Sequence, residues 1–203
     1  MNILLIHQNF PGQFKHLGPA LVAQGHKVVA LTSRVKENTT WQGIKVLAYQ
    51  PRRSSSQDIH PWVMDMETKV IRAEACYRAA VALRDQGGFT PDVILAHHGW
   101  GEPMFLRDVW PQARIGLYCE FYYRPEYPYT DFDPEFPAQD PAGNALRLRL
   151  KNINNLVHHQ IADAGLSPTA FQADTFPASW RDKITVVHDG VDTQKLVPNP
   201  NAV

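Results

Sequence analysis

Short runs of apolar residues, separated by turn-rich or helical stretches, constrain the fold of this chain more than any other feature. Residues 3–6 read Ile-Leu-Leu-Ile and residues 28–31 read Val-Val-Ala-Leu. Neither run shows the polar alternation of a half-exposed strand, so both are predicted to lie in a sheet covered on its two faces. Further strands are predicted at 44–48, 92–96, 114–118, 164–166 and 184–187.

Helical spacing fills the gaps between them. A helix is predicted over 13–24, with Phe14, Leu17, Leu21 and Val22 on one side and Gly25 ending it. The longest is predicted over 59–83, where Ile59, Trp62, Val63, Met66, Val70, Ala73, Tyr77, Ala80 and Val81 recur at helical intervals before Gly87-Gly88. Others are expected over 102–109, 145–162 and 169–176. Alternation of strand and helix along the whole length predicts an α/β fold, a Rossmann-like, doubly wound parallel sheet. At 203 residues and 44% apolar side chains, the chain fits one such domain, taken as residues 1–197 with 198–203 as the start of a linker.

Lysine plus arginine and aspartate plus glutamate both total 20, so no net field draws the molecule to nucleic acid or an anionic membrane. Cys76 and Cys119 show no CxxC spacing, which argues against a disulfide framework or a cysteine zinc site. No leader-like N-terminus and no stretch of about 18 apolar residues is seen, so the expected location is cytoplasmic. The segment 120–143, rich in proline and aromatics, is long for a connection within a domain and is read as a functional loop.

In open parallel sheets, ligands bind beyond the carboxyl ends of the strands. The residues at those positions include His7, Gln8, Asn9 and Gly12, then His97, His98, Gly99, Trp100 and Glu102, then Glu120, Tyr122, Tyr123 and Arg124, and finally His188, Asp189 and Gly190. Aromatics that stack on sugar faces and charged groups that bind hydroxyls or phosphates suit a sugar acceptor. Gln8-Asn9-Phe10-Pro11-Gly12-Gln13 places a glycine before a helix start, which suits a diphosphate. It is neither GxGxxG nor a P-loop, which disfavours a dinucleotide oxidoreductase. His97-His98 lacks a third close ligand, so no metal is expected. His158-His159 is read as solvated or capping, and Arg147, Arg149 and Lys151 as a solvated helix face. Glu120, directly after the fifth strand, is the candidate for hydrogen bonding or orienting an acceptor hydroxyl.

The chain resembles the N-terminal domain of family 4 glycosyltransferases of the GT-B fold, in the subgroup that opens with the run Ile6-His-Gln-Asn-Phe-Pro-Gly-Gln-Phe14. Pro91-Asp-Val-Ile-Leu-Ala-His97, Ala162-Asp-Ala-Gly-Leu-Ser-Pro-Thr169 and Ile184-Thr-Val-Val-His-Asp-Gly-Val-Asp192 with Pro198 agree in order and spacing. The resemblance implies the N-terminal half of a retaining enzyme of hexosyltransferase type. It would move a sugar from a nucleotide-diphosphate donor to a glycan or lipid-linked acceptor, without metal or other cofactor. The donor's nucleotide would sit on a C-terminal domain carrying an E-x7-E signature, which this chain lacks, so the domain alone is expected to be inactive. Pro11, Gly12 and Gln13 match the loop that faces the donor diphosphate. The chain departs from many relatives in having Gly12 beside Pro11 where they have a glycine pair. His97 matches the histidine near the reacting sugar, with His98 competing for that role. Asn9, Trp100, Tyr122, Tyr123, Arg124 and the loop on to Asp140 are candidates for acceptor recognition. That aromatic loop is compatible with peripheral contact at the inner face of a membrane. The alternative is a non-catalytic module that binds carbohydrate or docks a catalytic subunit.

Overall fold

The computed structural model describes residues 1–126, 133–137 and 139–199. Its strands are β1 (Asn2–Ile6), β2 (Lys27–Thr32), β3 (Thr39–Trp41), β4 (Ile44–Ala48), β5 (Val93–His97), β6 (Arg114–Tyr118), β7 (Ala164–Ser167) and β8 (Ile184–Val186). They form one sheet in the order β3-β4-β2-β1-β5-β6-β7-β8. Every neighbouring pair is parallel except β3 with β4. The helices are α1 (Leu17–Ala23), α2 (Met64–Asp85), α3 (Leu106–Val109), α4 (Pro141–Lys151), α5 (Ile153–Ile161), α6 (Ala170–Ala173) and α7 (Ala178–Arg181).

The apolar run in β1 feeds two cores at once, because successive side chains of a strand point to opposite faces. Leu4 and Ile6 join Val29, Leu31, Ile94, Ile115 and Leu117 beneath α2 and α3. Ile3 and Leu5 join Val28, Ala30, Ile44 and Val46 beneath Phe10 and Phe14 on the other face. Full burial of side chains of this size contributes roughly 1.5–3 kcal/mol each, so the central strands anchor the domain. The predicted doubly wound α/β architecture is the one observed.

Several boundaries differ from the sequence expectation. The helix expected over 13–24 is a 3-10 turn, Gly12–Lys15, followed by α1, whose first residue, Leu17, is exposed. Residues 59–63 form turns and α2 starts at Met64. The stretch over 102–109 is a 3-10 turn, Glu102–Phe105, and then α3. The helix expected over 145–162 starts earlier and breaks at Asn152, whose side chain bonds Tyr123 at both its N–H and its C=O. Strand β3 and helix α7 escaped prediction because each is too short to show a period.

The buried stripe of α2 agrees only in part with the one that spacing suggested, at Ala73 and Ala80. Val70 and Tyr77 are 39% and 38% exposed, whereas Lys69, Ala73, Cys76, Ala80 and Leu83 are buried. Small residues in mid-stripe let α2 lie close to the sheet, and they carry one lysine inward at its cleft end. No helix among the described residues is long and apolar enough to cross a membrane.

Candidate functional site

The strand order reverses between β1 and β5, the switch point where open α/β sheets leave a crevice. His7 follows β1 there and His97 ends β5. Their rings meet edge to face with centroids 5.3 Å apart, and Trp100 stacks on His97 at 3.9 Å while presenting its edge to His7 at 4.8 Å. Both histidines are 3% exposed.

Backbone amides define how each ring is protonated. The Gly99 N–H donates to His97 Nδ1 at 3.1 Å, and the Asn9 N–H donates to His7 Nδ1 at 3.0 Å. In their neutral forms both rings therefore carry the proton on Nε2. His97 Nε2 donates to Glu120 Oε2 at 3.1 Å, and His7 Nε2 donates to Gln13 Oε1 at 2.5 Å. The hydrogen bond from His97 is the main cause holding the Glu120 carboxyl below its usual range, and the Gln13 amide adds to it. Burial, then the neighbouring His97, pushes His7 down to about 4. Near neutral pH the site is thus a half-buried carboxylate fed by two chains of donors that start at backbone amides.

Two cavities flank this wall. One, of about 470 Å³, is lined by His7, Asn9, Gly12, Gln13, Lys15, His16, Trp100, Asp189 and Gly190. The other, of about 310 Å³, lies on the side of α2 and α4 and is lined by His97, Gly99, Trp100, Glu120, Phe121 and Tyr123 together with Asp65, Thr68, Lys69, Arg72 and Lys151. Asp189 is anchored by the Tyr118 hydroxyl, which donates to its carboxylate at 2.7 Å.

Of the residues singled out in the sequence, Asn9, Gly12, Gln13, His97, His98, Trp100, Glu120 and Tyr123 line these cavities. Pro11 caps the turn that carries Gly12. Tyr122 packs beside Phe176 and His159, and the Arg124 guanidinium donates to the Phe176 carbonyl at 2.8 Å, so these two side chains are engaged with the body of the domain. Residues 127–132 and 138 of the expected acceptor loop lie outside the described residues. Lys69, Arg72 and Lys151 were missed as site residues. Lysine and arginine on a helix read as a solvated face, and only the small-residue stripe of α2 could have signalled an inward lysine. Lys151 instead lines the cavity with its ammonium 4.2 Å from the centre of the Tyr123 ring.

Gly12 has φ +46°, and a Cβ there would clash with the His7 ring, with Cδ2 only 2.8 Å away. A Gly12→Ala variant must therefore displace that ring and break its bond to Gln13. We expect the variant to fold cooperatively while the His7 titration, followed by NMR, moves up from about 4 toward the 6.5 of a solvated imidazole. A titration left in place would mean that the turn relaxes instead.

His158 is buried and His159 partly buried, where the sequence read them as solvated or capping; the buried His98 packs against both rings and against Phe176. Both ring nitrogens of His98 lack a partner among the described residues. Burial drives His98 well below the usual value and His158 down to about 3. Because the folded values lie below 6.5, the unfolded chain takes up protons first, and stability falls as pH drops through 6.5 toward those values. His158 alone should cost about 2 kcal/mol between pH 7 and pH 5. Urea midpoints across that interval should show the loss, and His158→Gln should flatten it. An unchanged slope in the variant would assign the acid sensitivity elsewhere.

Among the described residues no group of three or more histidines, cysteines or carboxylates is placed to hold a metal ion. No curated protein sequence matches the chain. Among solved structures, sucrose-phosphate synthase from Thermosynechococcus elongatus matches with 16% identity over 95% of this chain and 91% of that one, at a TM-score of 0.55. MurG from Acinetobacter baumannii matches with 12% identity over 98% of this chain and 50% of that one, at a TM-score of 0.50. UDP-GlcNAc 2-epimerase from Neisseria meningitidis, bound to UDP-GlcNAc, matches with 14% identity over 92% of this chain and 45% of that one, at a TM-score of 0.43. The first two likenesses support the Rossmann-like fold, and the chain spans half or less of the length of the MurG and epimerase chains. The profile of the "Glycosyl transferase family 4 group" matches residues 24–196, from the end of α1 to beyond β8, and so takes in β5, β6 and the Glu120 cluster. By that match the chain belongs to the glycosyl transferase family 4 group.

Proposed function

We propose that this domain is the acceptor-side half of a retaining glycosyltransferase that uses a nucleotide-diphosphate sugar. The observation that carries the reading is the Glu120 carboxylate, half-buried at the switch point, kept ionised by His97 and left with acceptor capacity toward the cavity. A carboxylate so placed accepts a hydrogen bond from a sugar hydroxyl and orients it for attack. Trp100, stacked on His97 and shared by both cavities, supplies an aromatic edge between them. The cavity beside Gly12, with Lys15 and His16 on its rim, suits the donor diphosphate, and the one behind Glu120 suits the acceptor.

In this reading the donor's nucleotide is held by a second, C-terminal domain, the isolated domain does not turn over, and no metal or other cofactor takes part. The acceptor is a glycan or lipid-linked glycan, reached in the cytoplasm or at the inner face of a membrane. Membership of the opening-motif subgroup belongs to the same proposal.

The test is a screen of common nucleotide sugars for hydrolysis or transfer, run with residues 1–203 and with the protein at its full native length. Turnover by the longer protein alone, with the anomeric configuration retained in the product, is the expected result. Inverted product would remove the retaining mechanism. Glycan binding by residues 1–203 with no turnover in either form would favour a binding module.

A further inference from the structure

We propose that the cavity behind Glu120 binds an anionic group, a phosphate or a carboxylate, carried by the acceptor. The proposal rests on the transferase reading only in naming the ligand an acceptor. The anion site itself follows from the charges in this cavity.

Three cations, Lys69, Arg72 and Lys151, line the cavity with two carboxylates, Asp65 and Glu120. Lys69 is fully engaged: its ammonium meets Asp65 at 2.7 Å, Asn154 Oδ1 at 2.8 Å and the Lys151 carbonyl at 3.1 Å. Glu120 is engaged by His97. Two cations are left over. The Arg72 guanidinium, half-buried on α2, makes no hydrogen bond or ion pair among the described residues. Its field reaches Glu102, but that buried carboxyl is pushed up to about 7 by burial and already accepts from the Tyr49 hydroxyl at 2.7 Å. The Lys151 ammonium, at the end of α4, lies over the Tyr123 ring and meets no carboxylate among the described residues.

Half-buried cations without counter-charge are unfavourable in the empty protein, and a ligand oxyanion lying between them converts that cost into charge-assisted hydrogen bonds. Guanidinium and ammonium groups on two different helices, facing one cavity, suit a group with several oxygens. The reacting hydroxyl and the charge would then lie on one ligand, with Glu120 receiving the first and Arg72 with Lys151 the second. A neighbouring cavity of about 270 Å³ shares Asp65 and Lys151 with this one and is walled by Trp62, Met66, Leu148 and Leu150. An anion at Lys151 could therefore belong to a soluble sugar or continue into an alkyl chain, and the test separates the two.

The probe is glycerol 3-phosphate, titrated against residues 1–203 by 31P NMR at low ionic strength, with glycerol as the uncharged control. Saturable binding that weakens with added salt is expected for the phosphate and none for glycerol. Arg72→Gln and Lys151→Gln should each weaken binding about tenfold or more, with near-ultraviolet circular dichroism confirming an intact fold. Lys36→Gln, which removes an exposed cation that lines neither cavity, should leave the titration unchanged. Absence of saturable binding overturns the proposal. So does binding that survives the Arg72→Gln, Lys151→Gln double variant and falls with Lys15→Gln, since the anion would then sit beside Gly12. Tighter binding of octyl phosphate than of glycerol 3-phosphate marks a lipid-borne anion, and equal affinity marks a soluble one. Failure of the full-length protein to process any nucleotide sugar would sink the transferase reading, while the titration still decides the anion site.

Discussion

His97→Ala, in the full-length protein, is expected to lower kcat for sugar transfer by about 10²–10⁴-fold with little change in the KM for the donor. The imidazole donates to the Glu120 carboxylate and forms the platform under Trp100, so its loss removes both the charge-holding bond and the stacked wall. Glu120→Gln keeps the shape of the side chain but removes its charge, and it should fall in the same range. In the His97→Ala, Glu120→Gln double variant the effects should combine to much less than their product, because the two groups act as one unit. Wild-type turnover in either single variant, with a cooperative unfolding transition, would take that residue out of the reaction.

Gly101→Ala is expected to cost on the order of 3 kcal/mol or more, enough to threaten the fold of a domain of ordinary stability. Gly101 has φ +100°, and a Cβ there would strike the Lys69 carbonyl and approach its carbonyl carbon to 2.9 Å. The obstacle is backbone of α2, which cannot swing aside as a side chain would. Gly25 is the control: its φ is +80° with nothing within 4 Å of the added carbon, so Gly25→Ala bears only the conformational cost of about 1 kcal/mol. Urea denaturation of the two variants isolates the contact. Equal losses would show that α2 can retreat from the 98–102 turn.

The central sheet was legible because strands buried on both faces must be written as apolar runs, and β1, β2 and β5 are. Their ends then located His97, Glu120, Gly12 and Trp100, since a parallel sheet opens at one edge only. Features decided by packing were not legible. The break between α4 and α5 depends on Asn152 closing onto Tyr123, two points remote in the chain. His158 looked like a polar residue on a helix, yet it is enclosed and packs against the equally buried His98. The cationic wall was hidden for a related reason: its three members come from α2 and the end of α4, and no local pattern announces that these helices face one cavity.

Cys76 gives the inner face of α2 a use as a clock. Its thiol is fully enclosed in the same stripe as Lys69, and burial raises it well above the usual value, so reagents meet neither a path nor a thiolate while the helix is seated. Cys119, the second of the two cysteines, is likewise enclosed and pushed up to about 12. In a Cys119→Ser background the rate at which Cys76 is labelled would report how often the wall behind Glu120 lifts away from the sheet. Slower labelling in the presence of a ligand would show directly that the ligand holds that wall shut.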